Sequence, residues 1–132
     1  KNSFLEDTRY TSLKWIERNI NPEDKIVASH YSPPIWFLKN FKDKGKIWLQ
    51  GEFGKDKKYI KIDSDIKYVV LSSGIYSKYF NSDGSLKPKL KNDGILFSNF
   101  FENNELIKEF RPDYKKTTGP TIRIYLNNFY KD

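Results

Sequence analysis

The spacing of apolar and polar residues in the first quarter of the chain predicts a helix followed by a strand. Residues 8 to 20 form the helix, with Asp7 or Thr8 as its N-cap. Pro22 ends it, because a proline disfavours helical geometry at the residue before it. The apolar residues 25 to 29 then predict a short buried strand. Three apolar side chains recur at helical spacing and predict one buried helix face: Leu13, Ile16 and Ile20.

The middle of the chain predicts two further strands. Residues 46 to 51 form one, and residues 67 to 72, "KYVVLS", form the other. The second lacks polar alternation, which is typical of a central strand covered on both faces. Residues 35 to 41, which follow Pro33-Pro34, predict a short aromatic helix. The lysine-rich residues 51 to 66 predict an excursion with at most one short strand.

The last part of the chain predicts two helices and a pair of strands. Residues 74 to 80 form a short helix, and residues 81 to 94 form a surface loop with turn signals at Asp83-Gly84 and Asp93-Gly94. Residues 95 to 104 form a helix whose apolar side carries Leu96, Phe97, Phe100 and Phe101. Residues 105 to 110 and 121 to 126 alternate as antiparallel strands.

This order of elements predicts an α/β fold. We expect a small three-layer domain, residues 1–132, with a mixed, partly parallel sheet and a C-terminal antiparallel strand pair. Aromatic residues make up 17% of the chain and supply large buried surfaces. Cysteine is absent, which excludes disulfides and thiolate metal sites. Methionine is absent too, so we expect Lys1 to follow a cut and other residues to precede it.

The charge of the chain is positive, with a net value of +7. Only four of the 24 cationic residues are arginines, and the lysines alternate with acids from end to end. Recognition of bases and phosphates favours the guanidinium group, so this composition indicates a solvated lysine-rich surface and no nucleic-acid partner. Weak attraction to anionic lipid head groups is an intermediate alternative.

One set of polar residues follows two of the predicted strands. If the strands at 25–29 and 67–72 are parallel, their carboxyl ends lie at one edge of the sheet, where open α/β sheets bind ligands. The alternative is structural: the serines cap the next helix, and the glycine permits a tight turn. The residues that would face one crevice at this edge are His30, Tyr31, Ser72, Ser73, Gly74 and Tyr76.

Signals for catalysis and for cofactors are absent from the sequence. His30 is the only histidine, and no metal-binding, phosphate-binding or dinucleotide-binding motif is present. A Ser/His/Asp triad lacks the G-x-S-x-G elbow of the hydrolases that use it. Tryptophans and tyrosines that could stack on a sugar are more often core residues. We therefore predict no catalytic residue, no metal and no cofactor.

Several segments in order resemble one family. "DTRYTSLKWIERNINPEDKIVASHYSPP" is similar to the segment after the last membrane helix of polytopic glycosyltransferases of the dolichyl-phosphate-mannose protein mannosyltransferase and aminoarabinose transferase type. "IKYVVLSSGIYSKYF" resembles the family's strand, serine pair and Y-x-x-Y-F segment, and "LIKEFRPDYKKTTGPTIRIYL" resembles its closing hairpin. The sequence departs from the pattern at "NINPEDK", where one extra Asn separates Ile20 from Pro22.

The resemblance implies that this chain is a fragment of a multi-pass membrane protein that moves a sugar from a lipid-phosphate donor. The catalytic acid of such transferases lies in a loop between early membrane helices, so none is carried onto this chain. We expect an accessory domain on the extracytoplasmic face of the cell membrane, where it holds a glycan or protein acceptor or braces the membrane portion of the same polypeptide. The alternative is a freestanding module that binds carbohydrate or an anionic surface.

Overall fold

The fold is α/β, as the sequence predicts, with helices on both faces of a mixed sheet. The computed structural model describes residues 6–47, 60 and 62–132. The strands are β1 (Glu6–Asp7), β2 (Lys25–Ala28), β3 (Lys44–Lys46), β4 (Ile66–Ser72), β5 (Glu105–Phe110), β6 (Thr117–Thr118) and β7 (Ile122–Leu126). The α-helices are α1 (Thr8–Asn19), α2 (Ser73–Tyr76) and α3 (Lys91–Asn103), and 3₁₀ turns cover Ile35–Phe37, Ser77–Tyr79 and Pro88–Leu90. Within the described ranges, no helix has the length and apolar character that crossing a membrane requires.

Five strands form the main sheet in the order β3-β2-β4-β7-β5. The strands β3, β2 and β4 are parallel, which confirms the predicted parallel pair. The strand β7 is antiparallel to both β4 and β5, which confirms the predicted terminal pair. Because β4 and β5 both oppose β7, they run in the same direction.

Alternate residues of the central strands enter two separate cores. Val69 and Leu71 of β4 pack with α2 and α3 on one face of the sheet, in a core rich in aromatic rings. Val70 of β4 packs with α1 on the other face, in a core rich in isoleucine. Two of the three predicted apolar positions of α1, Ile16 and Ile20, are buried there, and Leu13 packs against them. The strand β4 is therefore covered on both faces, as its apolar sequence predicts.

A small second sheet ties the start of α1 to the loop before β7. The strands β1 and β6 pair in parallel, and the Glu6 N–H donates to the Lys116 carbonyl at 3.1 Å. Asp7 is the N-cap of α1, as predicted: its carboxylate accepts from the Arg9 backbone N–H at 2.8 Å and from the Arg9 guanidinium at 2.9 and 2.7 Å. The Thr8 hydroxyl donates to the Pro120 carbonyl. Two-residue strands carry no periodicity, so the sequence did not predict this pairing.

Two predictions in the first half of the chain are wrong. The helix predicted at 35–41 is only a single 3₁₀ turn, because Leu38 leaves helical geometry at ψ 89°. The Lys44 ammonium donates to the carbonyls of Trp36 and Leu38 at 3.2 and 2.6 Å, which replaces the helical partners of those oxygens. The strand predicted at 46–51 begins earlier, at Lys44, and its residues 48–51 lie outside the described residues, as do 52–59 and 61 of the predicted excursion.

The predicted loop at 81–94 is also too long, because α3 begins at Lys91. Gly94, which was predicted to form a turn at the end of this loop, lies inside α3 and is buried. A Cβ atom at this position would lie 2.5 Å from the Leu86 Cδ2 atom and 3.0 Å from the Tyr79 Cβ atom. Glycine is therefore present for the close approach of α3 to its neighbours, and not for a turn.

Candidate functional site

One edge of the main sheet collects most of the polar residues singled out from the sequence. The carboxyl ends of β2, β4 and β5 and the amino end of β7 all lie at this edge, since β4 pairs in parallel with β2 and β5 runs the same way. Open α/β sheets bind ligands at such an edge. We refer to it below as the carboxyl edge.

The two serines at the end of β4 form hydrogen bonds with nearby segments of the chain. Ser72 is fully buried; its N–H donates to the Ser29 hydroxyl at 3.1 Å, and its own hydroxyl caps α2 by accepting from the Gly74 N–H at 3.1 Å. The Ser73 N–H donates to the Thr121 carbonyl at 2.9 Å, and the Thr121 N–H donates to the Ser73 hydroxyl at 3.0 Å. The Ser72 side chain therefore caps α2, as the structural alternative predicts, whereas the Ser73 side chain binds Thr121 and does not cap the helix.

Tyr31 and Gly74 are in contact at the carboxyl edge. A Cβ atom at Gly74 would lie 2.8 Å from the Tyr31 Cδ2 atom, so only glycine leaves room for that ring. Gly74 is not among the residues with positive φ, so the tight turn expected from the sequence does not require a glycine here. Close packing against Tyr31 requires it instead. Tyr31 itself has φ 62°, and its ring lies 6.1 Å from the ring of the half-buried His30.

A pocket of about 580 Å³ opens at the carboxyl edge on the α3 side of the sheet. Aromatic rings form its inner wall and polar side chains form its rim. A tight turn, in which the Asn81 N–H donates to the Ser85 carbonyl at 2.7 Å, supplies part of that rim. The lining residues are Ser73, Tyr76, Ser77, Phe80, Asn81, Ser82, Asp83, Gly84, Phe101, Arg111, Thr121 and Arg123.

One carboxylate holds the two arginines of the pocket in place. Glu109 and Arg123 are paired across β5 and β7, and the Arg123 Nε atom donates to Glu109 at 2.7 Å. The Arg111 Nε atom donates to the other carboxylate oxygen at 2.6 Å. Partial burial acts to raise the pKa of Glu109, but hydrogen bonds from Arg123 and Arg111 outweigh it, and the pKa lies below its ordinary value. Glu109 therefore stays charged and fixes both guanidinium groups.

Arg123 also lies against the aromatic wall. Its guanidinium carbon is 4.9 Å from the centre of the Phe101 ring and 5.4 Å from the centre of the Tyr76 ring. The two rings meet edge to face at 5.1 Å. Contacts of this kind are worth about 0.5–2 kcal/mol each where water is excluded. The wall is therefore ordered by packing as well as by hydrogen bonds.

Tyr76 presents a neutral phenol at this wall. Its side chain is 7% exposed, and burial raises the pKa of Tyr76 to about 12, opposed by the positive charge of Arg123. The phenol therefore keeps its proton at neutral pH and can donate a hydrogen bond into the pocket.

The six residues predicted to face one crevice take different places. Ser73 and Tyr76 line the pocket, whereas Ser72 is buried beneath it. His30, Tyr31 and Gly74 are not among the lining residues of this pocket. Their role in binding stays a prediction.

Sequence reasoning missed Phe80, Phe101, Arg111 and Arg123, which come from four separate segments. One signal was available for Arg123. Glu109 and Arg123 lie opposite each other in the predicted antiparallel pair, and opposite charges at such positions favour contact. The position of Arg123 beside Glu109 follows from that register.

The arrangement can hold a small polar molecule. It combines ring faces with fixed cationic donors and with the hydroxyl groups of Ser77 and Thr121. The lining acid Asp83 accepts hydrogen bonds from the Ser85 N–H and hydroxyl at 2.9 and 2.6 Å, which lower its pKa and hold it in the turn. The pocket therefore has the character of a binding site.

A comparison of the chain with models of known protein families, with curated proteins and with solved structures finds no match.

Proposed function

We propose that this chain is a non-catalytic accessory domain of a membrane glycosyltransferase that uses a lipid-phosphate sugar donor, and that it holds a saccharide acceptor in the pocket at the carboxyl edge. The resemblance stated above supports the class of the parent protein and an extracytoplasmic location. The pocket supports the acceptor role. Its aromatic wall with fixed arginines is the observation that carries the proposal.

The chemistry of the wall suits a sugar ring. A pyranose has apolar C–H faces that pack on aromatic rings and equatorial hydroxyl groups that need hydrogen-bond partners at their edges. Phe80 and Phe101, which are partly exposed, supply ring surface, and the Tyr76 hydroxyl supplies a neutral donor. Arg111 supplies charged donors at the rim, because its bond to Glu109 uses only the Nε atom.

The acid that lines the pocket among the described residues is already engaged in hydrogen bonds. Glycosyl transfer needs a carboxylate or another base beside the attacking hydroxyl. In the pocket as the described residues line it, Asp83 is the one acid, and it already accepts two hydrogen bonds from Ser85. Ser73, one of the pocket serines, is also engaged, since its hydroxyl accepts a backbone hydrogen bond from Thr121.

The binding part is tested by titrating the isotope-labelled chain with the methyl glycosides of mannose, glucose, galactose and glucuronic acid, observed by NMR. We expect at least one glycoside to shift the backbone amides of Phe80, Phe101 and Arg123. Arg111→Gln should weaken that binding about tenfold or more, because a hydrogen bond from a charged donor is worth ~1.5 kcal/mol or more.

A matched variant controls for charge. Arg18 lies in the last turn of α1, on the other face of the sheet, so Arg18→Gln should leave the affinity unchanged. The proposal fails if no glycoside shifts the pocket amides, or if both variants weaken binding equally.

The parent class has its own test. Translation of the gene upstream of the codon for Lys1 should contain a series of apolar runs of about 20 residues each. A start codon directly upstream would defeat the transferase part and leave the saccharide pocket as a property of a freestanding module.

A further inference from the structure

The segment between β2 and β3 presents two adjacent aromatic residues to solvent. Trp36 is 54% exposed and Phe37 is 65% exposed. The residues on either side, Ile35 and Leu38, are buried in the α1 core at 2% and 1%. The buried side chains of Ile35 and Leu38 thus anchor the 3₁₀ turn on both sides, while Trp36 and Phe37 between them are exposed. Single exposed apolar residues are ordinary, but an anchored pair of large rings marks an interaction site.

Lysines surround this pair. The Lys46 ammonium lies 5.2 Å from the centre of the Trp36 ring, and the Lys44 ammonium binds the carbonyls of Trp36 and Leu38. Lys39 follows two residues after Phe37.

None of these three lysines forms a salt bridge with a carboxylate in the part of the chain that the structure describes. Elsewhere the chain pairs such lysines, as Lys42 with Glu23 at 2.9 Å and Lys67 with Asp24 at 3.3 Å. Among the described residues, no carboxylate therefore neutralises the positive charge beside the two rings. We call Trp36, Phe37, Lys39, Lys44 and Lys46 the aromatic-lysine surface.

We propose that the aromatic-lysine surface docks on an anionic lipid membrane, with Trp36 and Phe37 in the headgroup region and Lys39 and Lys46 beside lipid phosphates, while Lys44 holds the turn that carries both rings. Tryptophan is enriched at membrane interfaces because its ring is apolar and its N–H is polar. Lysine side chains pair an apolar stem with a charged end that remains in water. Clustered lysines are attracted to anionic lipid, which supplies the charge complementarity.

The aromatic-lysine surface lies at the carboxyl edge of the sheet, where a third aromatic ring is also exposed. Lys46 ends β3, whose carboxyl end lies at the same edge of the sheet as that of β2. Tyr31, which follows β2, is a third exposed ring at 60% and is held at positive φ. The inference does not depend on the saccharide pocket, which lies on the α3 side of the sheet.

The test is co-sedimentation of the 132-residue chain with vesicles of pure phosphatidylcholine and with vesicles that also contain phosphatidylglycerol. We expect binding to the anionic vesicles that falls with added salt, and little binding to the neutral ones. Replacing Lys39 and Lys46 together by Gln should weaken binding by about fivefold per lysine, on the order of 25-fold in all.

A matched double variant separates a local site from overall charge. Replacing Lys87 and Lys89 by Gln removes the same charge near the start of α3, and these lysines also form no salt bridge within the described ranges. We expect only a small loss of binding. Equal losses from both double variants would overturn the proposal, because the attraction would then belong to the whole surface.

The aromatic part has a second pair of variants. Trp36→Ser with Phe37→Ser should lower vesicle binding about tenfold or more, whereas Leu106→Ser with Phe129→Ser, which removes two exposed apolar side chains at the opposite edge, should not. An unchanged urea unfolding midpoint of the Trp36/Phe37 variant would show that the fold is intact.

Two results would overturn the proposal outright. One is the absence of binding to anionic vesicles. The other is self-association of the chain in analytical ultracentrifugation that the Trp36/Phe37 variant abolishes, since the occupant would then be a second copy.

Discussion

The two faces of the main sheet are packed with different kinds of side chain. On the α1 face the core is aliphatic, built largely from isoleucines such as Ile16, Ile26 and Ile124. On the α3 face it combines aliphatic side chains with aromatic rings that are in contact, such as Phe100 and Tyr125 at 5.1 Å. The pocket opens where the ring layer reaches the carboxyl edge. Branched aliphatic side chains fill space closely, whereas a layer of rings exposes both faces and edges that a ligand can use.

The largest expected effect removes one ring from the α3 face. Phe100→Ala should lower the free energy of unfolding by about 3–5 kcal/mol, because it leaves a large cavity beside Tyr125. It should also weaken saccharide binding, since Phe101 of the pocket wall loses its packed neighbour. Urea unfolding followed by glycoside titration measures both quantities.

A control variant for Phe100→Ala removes a side chain from the α1 face of the sheet. Ile16→Ala should cost about 2–5 kcal/mol and leave the affinity for the glycoside unchanged. A change of affinity in this variant would mean that the two faces are coupled, and that the pocket is not a property of the ring layer alone.

A smaller effect is expected where α3 approaches its neighbours. Gly94→Ala would normally favour a helix, but here the new Cβ atom meets Leu86 and Tyr79. We expect a net loss of about 1–3 kcal/mol from overpacking, measured as a lower urea midpoint. A stabilised variant would show that the ring layer has room to move.

A loss of about 1–2 kcal/mol is expected from Ser73→Ala. The Thr121 N–H would lose the hydroxyl that accepts its hydrogen bond, and a part-buried donor without a partner is costly. We expect this change to affect stability more than transfer activity in the parent protein. Loss of transfer activity in this variant at an unchanged melting temperature would contradict this expectation.

The smallest expected effect is on the pH dependence of stability, through the bonds of Glu109 with Arg111 and Arg123. The pKa of Glu109 is lowered in the folded chain, so its stabilising contribution is full above the ordinary glutamate value of about 4.3 and is lost as pH falls below it. Wild type should exceed Glu109→Gln in stability at neutral pH by less than about 1 kcal/mol, since Arg111 is mostly exposed. The two curves should converge in acid. A constant difference at all pH values would contradict this account.

The sequence predicts the large features of this fold because they rest on periodicity. The apolar run before Ser72 identified the central strand, and the spacing of Ile16 and Ile20 identified the buried face of α1. Features that depend on tertiary contacts were predicted wrongly from the sequence. Gly94 carries a turn signal that the packing of α3 overrides, and Lys44 binds the carbonyls of a turn that local sequence alone predicts as a helix.

The site was harder to predict than the fold for the same reason. Ser73 and Tyr76 follow the central strand directly, so topology was enough to find them. Phe80, Phe101 and Arg111 are brought to the pocket from distant segments by the packing of α3 and by the register of β5 and β7. No local pattern in the sequence carries that information.

The small sheet of β1 and β6 gives the domain a mechanical path from its amino end to the pocket. A pull on the residues before Glu6 would load the hydrogen bond from Glu6 to Lys116 and the tie from Thr8 to Pro120. Pro120 precedes Thr121, which lines the pocket and is bound to Ser73. Tension applied at the amino end would thus reach the rim of the pocket within a few residues, without passing through the length of α1.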